Sequence, residues 1–161
     1  MQYHLIRKIE GQVLSDNEIK VKPMLLEGNK LEEKLSEYLE SFIEGTLDPE
    51  LAGKKPDKFI FNLKENRLGD FSKRYINLAY DGEKVIGILI ALPENEGRYH
   101  IFSVHVAKEY RKKGVGSALI LRCINDMHEK NVQEILIDVH EDNTPAYNLY
   151  RKYGFEVYNI K

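Results

Sequence analysis

At Gly114 the hydrophobic pattern of the chain changes period. Before it, Tyr99 to Ala107 reads as a strand; after it, Leu119, Ile120, Cys123, Ile124 and Met127 recur as one helical stripe that runs to Lys130. Between them lies Lys108-Glu109-Tyr110-Arg111-Lys112-Lys113-Gly114-Val115-Gly116-Ser117. Two glycines at such a strand-to-helix turn let the backbone come close to a ligand. The first N–H groups of the helix have no partner inside it, and the helix dipole adds positive potential there. With Arg111, Lys112 and Lys113 alongside, the junction is a candidate pyrophosphate site. It is not a P-loop, because no Gly-Lys-Ser/Thr follows, and a dinucleotide fingerprint needs a third glycine. The competing reading is a glycine-permitted turn flanked by solvated basic residues.

The remaining segments put this junction in the middle of a layered domain. Residues 3–9 predict a short extension strand within the first fifteen residues. Ile19, Val21 and Met24 predict a second strand, with Pro23 marking its end or an edge. Leu31, Leu35, Tyr38, Leu39 and Phe42 recur at helical spacing among Glu32, Glu33, Glu37 and Glu40, an amphipathic helix stopped near Gly45. Gly45, Pro49, Gly53, Pro56 and Gly69 predict an irregular or briefly helical stretch over 45–70. A hairpin follows: strand Tyr75 to Tyr80, turn Asp81-Gly82, strand Lys84 to Leu92, then a break over Pro93 to Gly97. Beyond the central helix, Ile135 to Val139 is a compact apolar run read as a buried strand. Thr144-Pro145 resembles an N-cap and first-turn proline opening a helix that ends at Gly154, and Phe155 to Ile160 predicts a last strand. The order predicts an α+β, or mixed α/β, fold with helices packed on a central sheet.

Size and charge narrow the function. A chain of 161 residues fits one domain spanning 1–161, able to bury a core without disulfide or metal. With 24 basic and 26 acidic side chains, net charge −2, nothing global favours nucleic acid or an anionic membrane. Cys123 is alone, so neither an internal disulfide nor a cysteine zinc cluster is available, and no metal is expected. Residues 1–8 hold no long apolar run, so neither signal peptide nor membrane span is expected, and a soluble cytoplasmic protein is the default.

A second motif follows the first at the distance of one helix and one strand: Asn143-Thr144-Pro145-Ala146-Tyr147-Asn148-Leu149-Tyr150-Arg151-Lys152-Tyr153-Gly154-Phe155. Together the two resemble the GCN5-related N-acetyltransferase (GNAT) family. Arg111-x-x-Gly114-x-Gly116 is similar to its Q/R-x-x-G-x-G/A loop, and Asn143-x-x-Ala146-x-x-Leu149-Tyr150 through Gly154-Phe155 to its other signature. The resemblance is specific between about residues 72 and 158. It implies a central, mostly antiparallel twisted sheet flanked by helices and splayed between strands 99–107 and 134–140.

On individual positions, the resemblance implies acetyl-CoA as co-substrate. Backbone groups of Val104, His105 and Val106 would hold the acetyl carbonyl and pantetheine arm, for which free strand N–H and C=O groups suit an amide-containing ligand. Backbone N–H groups from Lys112 through Lys113, Gly114, Val115 and Gly116 to Ser117 would bind the pyrophosphate. The Asn143 side chain would bond the pantetheine, its alternative role being a helix cap. Tyr150 would protonate the departing thiolate, since a phenol with pKa about 10 can share a proton with sulfur; its alternative is an aromatic residue packed on the sheet, as expected for Tyr147 and Tyr153. His100 stands where the likeness to histone and serotonin acetyltransferases places a general base. Strand alternation sets it on one face with Phe102 and Val104 and turns His105 to the other, unless the bulge expected in this strand shifts the phase. His4, His128 and His140 read as solvated, and Cys123 as core.

The family's last strand has no room after Phe155. Residues 3–9, a partner subunit in a homodimer, or nothing would replace it. Three functions compete: direct acyl transfer to a primary amine of a small molecule or peptide, a non-catalytic acyl-CoA sensor, and a phosphate- or nucleotide-binding domain. The acidic helix Leu31–Glu44 and residues 45–70 are expected to shape the acceptor pocket, and acidic groups there would favour a cationic amine.

Overall fold

In a computed structural model of the chain, residues 1–15, 17–49, 51–95 and 97–161 are described. Seven strands, β1 (Gln2–Lys8), β2 (Lys20–Pro23), β3 (Tyr75–Asp81), β4 (Lys84–Asn95), β5 (Arg98–Val106), β6 (Glu134–His140) and β7 (Glu156–Ile160), form one sheet in the order β2-β3-β4-β5-β6-β1-β7. Every neighbouring pair is antiparallel except β5 with β6. That parallel pairing covers only Arg98–Ile101 against Glu134–Ile137, so the two strands part company after Ile101. The expected mixed α+β fold with a splayed, mostly antiparallel sheet is therefore found.

Helices α1 (Gly28–Ile43) and α2 (Asp57–Lys64) cover one face, and α3 (Val115–Glu129) and α4 (Thr144–Lys152) the other. Alternation along the strands divides the core accordingly. Ile76, Leu78, Ile88, Ile90 and Leu92 pack with Leu31, Leu35, Leu39 and Phe42 of α1. Ala79, Leu89, Ala91, Ile101, Ile135 and Ile137 pack with Leu119, Ile120, Cys123, Ile124 and Met127 of α3. Each large apolar side chain so buried contributes roughly 1.5–3 kcal/mol. Cys123 is fully buried, and burial pushes its thiol pKa up, in keeping with a core role.

Several boundaries differ from the sequence expectations. β4 runs through Pro93 to Asn95; of the expected break, Glu96 lies outside the described residues. β3 pairs with β4 only as far as Ala91, so Pro93 has a partner strand on one side alone, and a register shift follows it. The 45–70 stretch contains the two-turn helix α2. The cap of α4 is Asn143 rather than Thr144: its side chain accepts from the Ala146 N–H, and Pro145 follows in the first turn.

The N-terminal strand resolves the question of the missing strand. β1 enters the sheet between β6 and β7, pairing with both, and Leu5 is fully buried there. Residues 2–8 are thus an interior strand with neighbours on both sides, not an appendage. No helix among the described residues is long and apolar enough to cross a membrane.

Candidate active site

Beyond Ile101, where β5 and β6 cease to pair, a cavity of about 450 Å³ opens at the end of β5. Val104, His105 and Val106 form one wall, and Arg111, Lys112, Gly114, Val115, Gly116 and Ser117 form its end. Asn143 and Tyr150 close it from α4, together with Pro145, Ala146 and Leu149. The two sequence motifs, nearly thirty residues apart, thus line a single space. Lys113 does not line it: its ammonium lies over the Tyr110 ring, 5.6 Å from the centroid.

The turn into α3 has the backbone that anion binding requires. Lys112 (φ 63) and Gly114 (φ 86) are both left-handed, and successive turns of this kind can aim neighbouring N–H groups at one point. Among the described residues no side chain caps the first turn of α3, and no acidic residue stands in that turn, whereas α4 is capped by Asn143. The N-terminus of α3 therefore keeps its donors and its dipole for the cavity.

Arg111 departs from its expected role. Its Nε donates to the Val106 carbonyl (3.1 Å) and Nη1 to that of Gly45 (3.2 Å). Nη2 donates to the carbonyls of Phe42 (2.9 Å) and Glu44 (2.8 Å). The guanidinium thus satisfies carbonyls around the end of α1, which no helical N–H can reach. Rather than pointing its charge at a pyrophosphate, Arg111 ties that end of α1 to the loop. Phe42, Gly45, Thr46 and Leu47 join the lining of the cavity, from the helix and the 45–70 segment expected to shape the acceptor pocket.

Tyr150 is 5% exposed, and burial raises its phenol pKa, so the group is a proton donor at neutral pH. Its ring also packs against Phe155, centroids 5.9 Å apart, so it is a core aromatic and a cavity residue at once. Asn143 likewise has two faces, since its carbonyl oxygen caps α4 while the residue lines the cavity.

The bulge in β5 changes the reading of the histidines. Ile90 pairs with Ser103 and Ala91 with Ile101, leaving Phe102 as the extra residue. His100 stacks on Phe102 (centroids 4.3 Å) and pairs with Leu92, on the α1 face of the sheet. Val104 packs with the α3 core, on the opposite face from His100. His105, opposite Ile88, returns to the α1 face. Hence His100 shares its face with His105 and not with Val104, the reverse of unbroken alternation. His105 lines the cavity, and burial, then the positive charge of Arg111, bring its pKa down to about 4, against the opposing pull of Asp48. It is a neutral imidazole at physiological pH.

His100 lies outside the cavity lining, beside β6, with its Nε2 3.4 Å from Asp138 Oδ2. His4 and His140, expected to be solvated, both have partners. His4 Nδ1 is 2.5 Å from Asp138 Oδ1, and His140 Nδ1 accepts from the Asp142 N–H. The clue to Asp138 was available in Ile135-Leu136-Ile137-Asp138-Val139, where one carboxylate interrupts an apolar strand. Among the described residues no cluster of His, Cys, Asp or Glu is arranged to hold a metal ion.

Comparisons with known proteins agree with this architecture. The profile of the acetyltransferase (GNAT) family matches residues 33–155. An N-alpha-acetyltransferase of Sulfurisphaera tokodaii is 28% identical over 113 residues, covering 63% of this chain and 67% of that protein. Coverage is lower elsewhere: a mycothiol acetyltransferase of Corynebacterium glutamicum is 30% identical over 48% of this chain, but only 27% of that protein's length is matched. Among solved structures, the PaiA N-acetyltransferase of Thermoplasma acidophilum in complex with coenzyme A superposes with TM-score 0.65 at 18% identity. That match covers 88% of this chain and 93% of the other.

Proposed function

The chain belongs to the acetyltransferase (GNAT) family, and on that premise we propose that it transfers an acetyl group from acetyl-CoA to a primary amine by direct attack in a ternary complex. The observation that carries this reading is the cavity at the β5–β6 splay. One end presents the uncapped N-terminus of α3, and the side presents strand backbone and Tyr150. A long ligand with an anionic head and an amide-bearing arm fits that sequence of groups.

In this reading the N–H groups of Val115, Gly116 and Ser117 take the pyrophosphate. Backbone of Val104 to Val106 and the Asn143 amide take the pantetheine. Val106 contributes less than its neighbours, because its carbonyl already accepts from Arg111. The acceptor approaches from the α1 face, where His100 takes the proton that an ammonium must lose before it can attack. Attack forms the C–N bond, backbone donors stabilise the oxyanion, and the C–S bond breaks as Tyr150 gives its proton to sulfur.

Release of CoA thiol from acetyl-CoA, measured across a panel of primary amines, tests the proposal. Amine-dependent release supports transfer, whereas tight acetyl-CoA binding with no release for any amine describes a sensor. Tyr150→Phe should keep acetyl-CoA affinity and lower kcat by about 10²- to 10⁴-fold, because the phenol acts on charge that develops only as the C–S bond breaks. Wild-type turnover in that variant would assign the proton to another group or to water.

A further inference from the structure

On the α1 face of the sheet, three strands bring together residues far apart in the chain. Asp138 of β6 is flanked by His100 of β5 and by His4 of β1, each meeting a different carboxylate oxygen. His4 stands directly opposite Asp138 in the β1–β6 register, so the contact is built into the strand pairing. The His4 and His100 side chains are 20% and 22% exposed, against 37% for Asp138. Among the described residues, the remaining polar or charged neighbours are few. Tyr158 of β7 lies 6.2 Å from the His4 ring, and Glu94 and Arg98 act on Tyr158, with Arg98 paired to Glu134.

We propose that Asp138 is a positioning residue for His100, held in place by His4, so that the N-terminal strand completes the proton-accepting end of the site. The inference rests on the reading of His100 as base. The argument is one of tautomers. A carboxylate only accepts, so the ring nitrogen of His4 facing it, Nδ1, carries a proton. His4 Nε2 is then a bare nitrogen, and it is buried without a hydrogen-bond partner. A proton on Nε2 would be a buried donor with nothing to receive it, so the Nδ1–H of His4 is the donor that fixes Oδ1. Oδ2 remains for His100 and selects the Nε2–H tautomer, leaving Nδ1 of His100 with the free lone pair.

In the reaction, Nδ1 of His100 takes one proton from the acceptor ammonium, whose nitrogen keeps the electron pair for attack. The imidazolium that results lies against the ionised Asp138, which does not itself take the proton. Burial works against ionisation of Asp138, but its contacts with His100 and His4 outweigh it and hold the carboxylate below its ordinary pKa.

Two measurements test this. In wild-type protein, ¹⁵N chemical shifts of the His100 ring at high pH should show the proton on Nε2; a proton on Nδ1 overturns the proposal. In kinetics, Asp138→Asn should lower kcat/KM at least tenfold and leave acetyl-CoA affinity unchanged; Asp138→Glu should restore part of the rate. The His100→Ala profile separates the two levels of the argument. If that variant keeps the wild-type pH profile and rate, His100 is not the base and the underlying reading fails. If His100→Ala removes the ionisation while Asp138→Asn keeps wild-type rate, the positioning role is refuted.

Discussion

Folding changes the titration of His105 within the physiologically accessible range. Its imidazole is brought down to about 4, first by burial and then by the Arg111 charge, whereas in an unfolded chain it protonates near 6.5. The folded state therefore binds fewer protons between those values, so its contribution to stability is complete above about pH 6.5 and is lost as pH falls toward 4. At pH 5 the loss amounts to about 2 kcal/mol. Chemical denaturation at pH 7 and pH 5 should show that loss in the wild type and a smaller one in His105→Gln; equal losses in both would mean that other groups carry the acid sensitivity. The residue scale also marks where the sequence was ambiguous. Tyr150 and Asn143 each allowed a structural and a functional reading, and in the fold each occupies both positions at once: Tyr150 packs on Phe155 and lines the cavity, and Asn143 caps α4 and lines it too.

Among the elements, those with a strong period were legible and those defined by partners were not. The α1 and α3 stripes, the β3–β4 hairpin and the Gly114 turn are local patterns, and they lie where periodicity sets them. The bulge at Phe102 is a property of two strands, so no feature of Tyr99–Ala107 alone revealed that His100 and His105 would share a face. The place of β1 between β6 and β7 is likewise a matter of long-range pairing, and with it the contact of His4 and Asp138 stayed hidden. The Arg111 clamp is the same kind of feature, joining the end of α1 to a loop more than sixty residues later. Arg111→Gln should detach that wall. We expect a stability loss of about 2 kcal/mol, from charge-assisted hydrogen bonds to carbonyls that would lose their partners, together with weaker acetyl-CoA binding. If thermal unfolding and affinity both match the wild type, the clamp has no energetic weight.

For the molecule as a whole, one sheet with helices on both faces does two jobs. Its antiparallel half, buried under α1, α2 and α3, is a stable platform, and its single parallel pair is short enough to part and admit a ligand. The central claim is that this gap, closed at one end by the first turn of α3, is the acetyl-CoA site. Gly116 offers the most direct access to that claim. It sits in the first turn without a left-handed φ, and a Cβ there would meet only the tip of the Leu149 side chain, at 3.1 Å. Gly116→Val should therefore fold while filling the space through which the backbone approaches the pyrophosphate. Calorimetric titration with acetyl-CoA should show binding by the wild type and at least tenfold weaker binding, about 1.4 kcal/mol, by Gly116→Val. Equal affinity in the two proteins would place the cofactor somewhere other than this cavity.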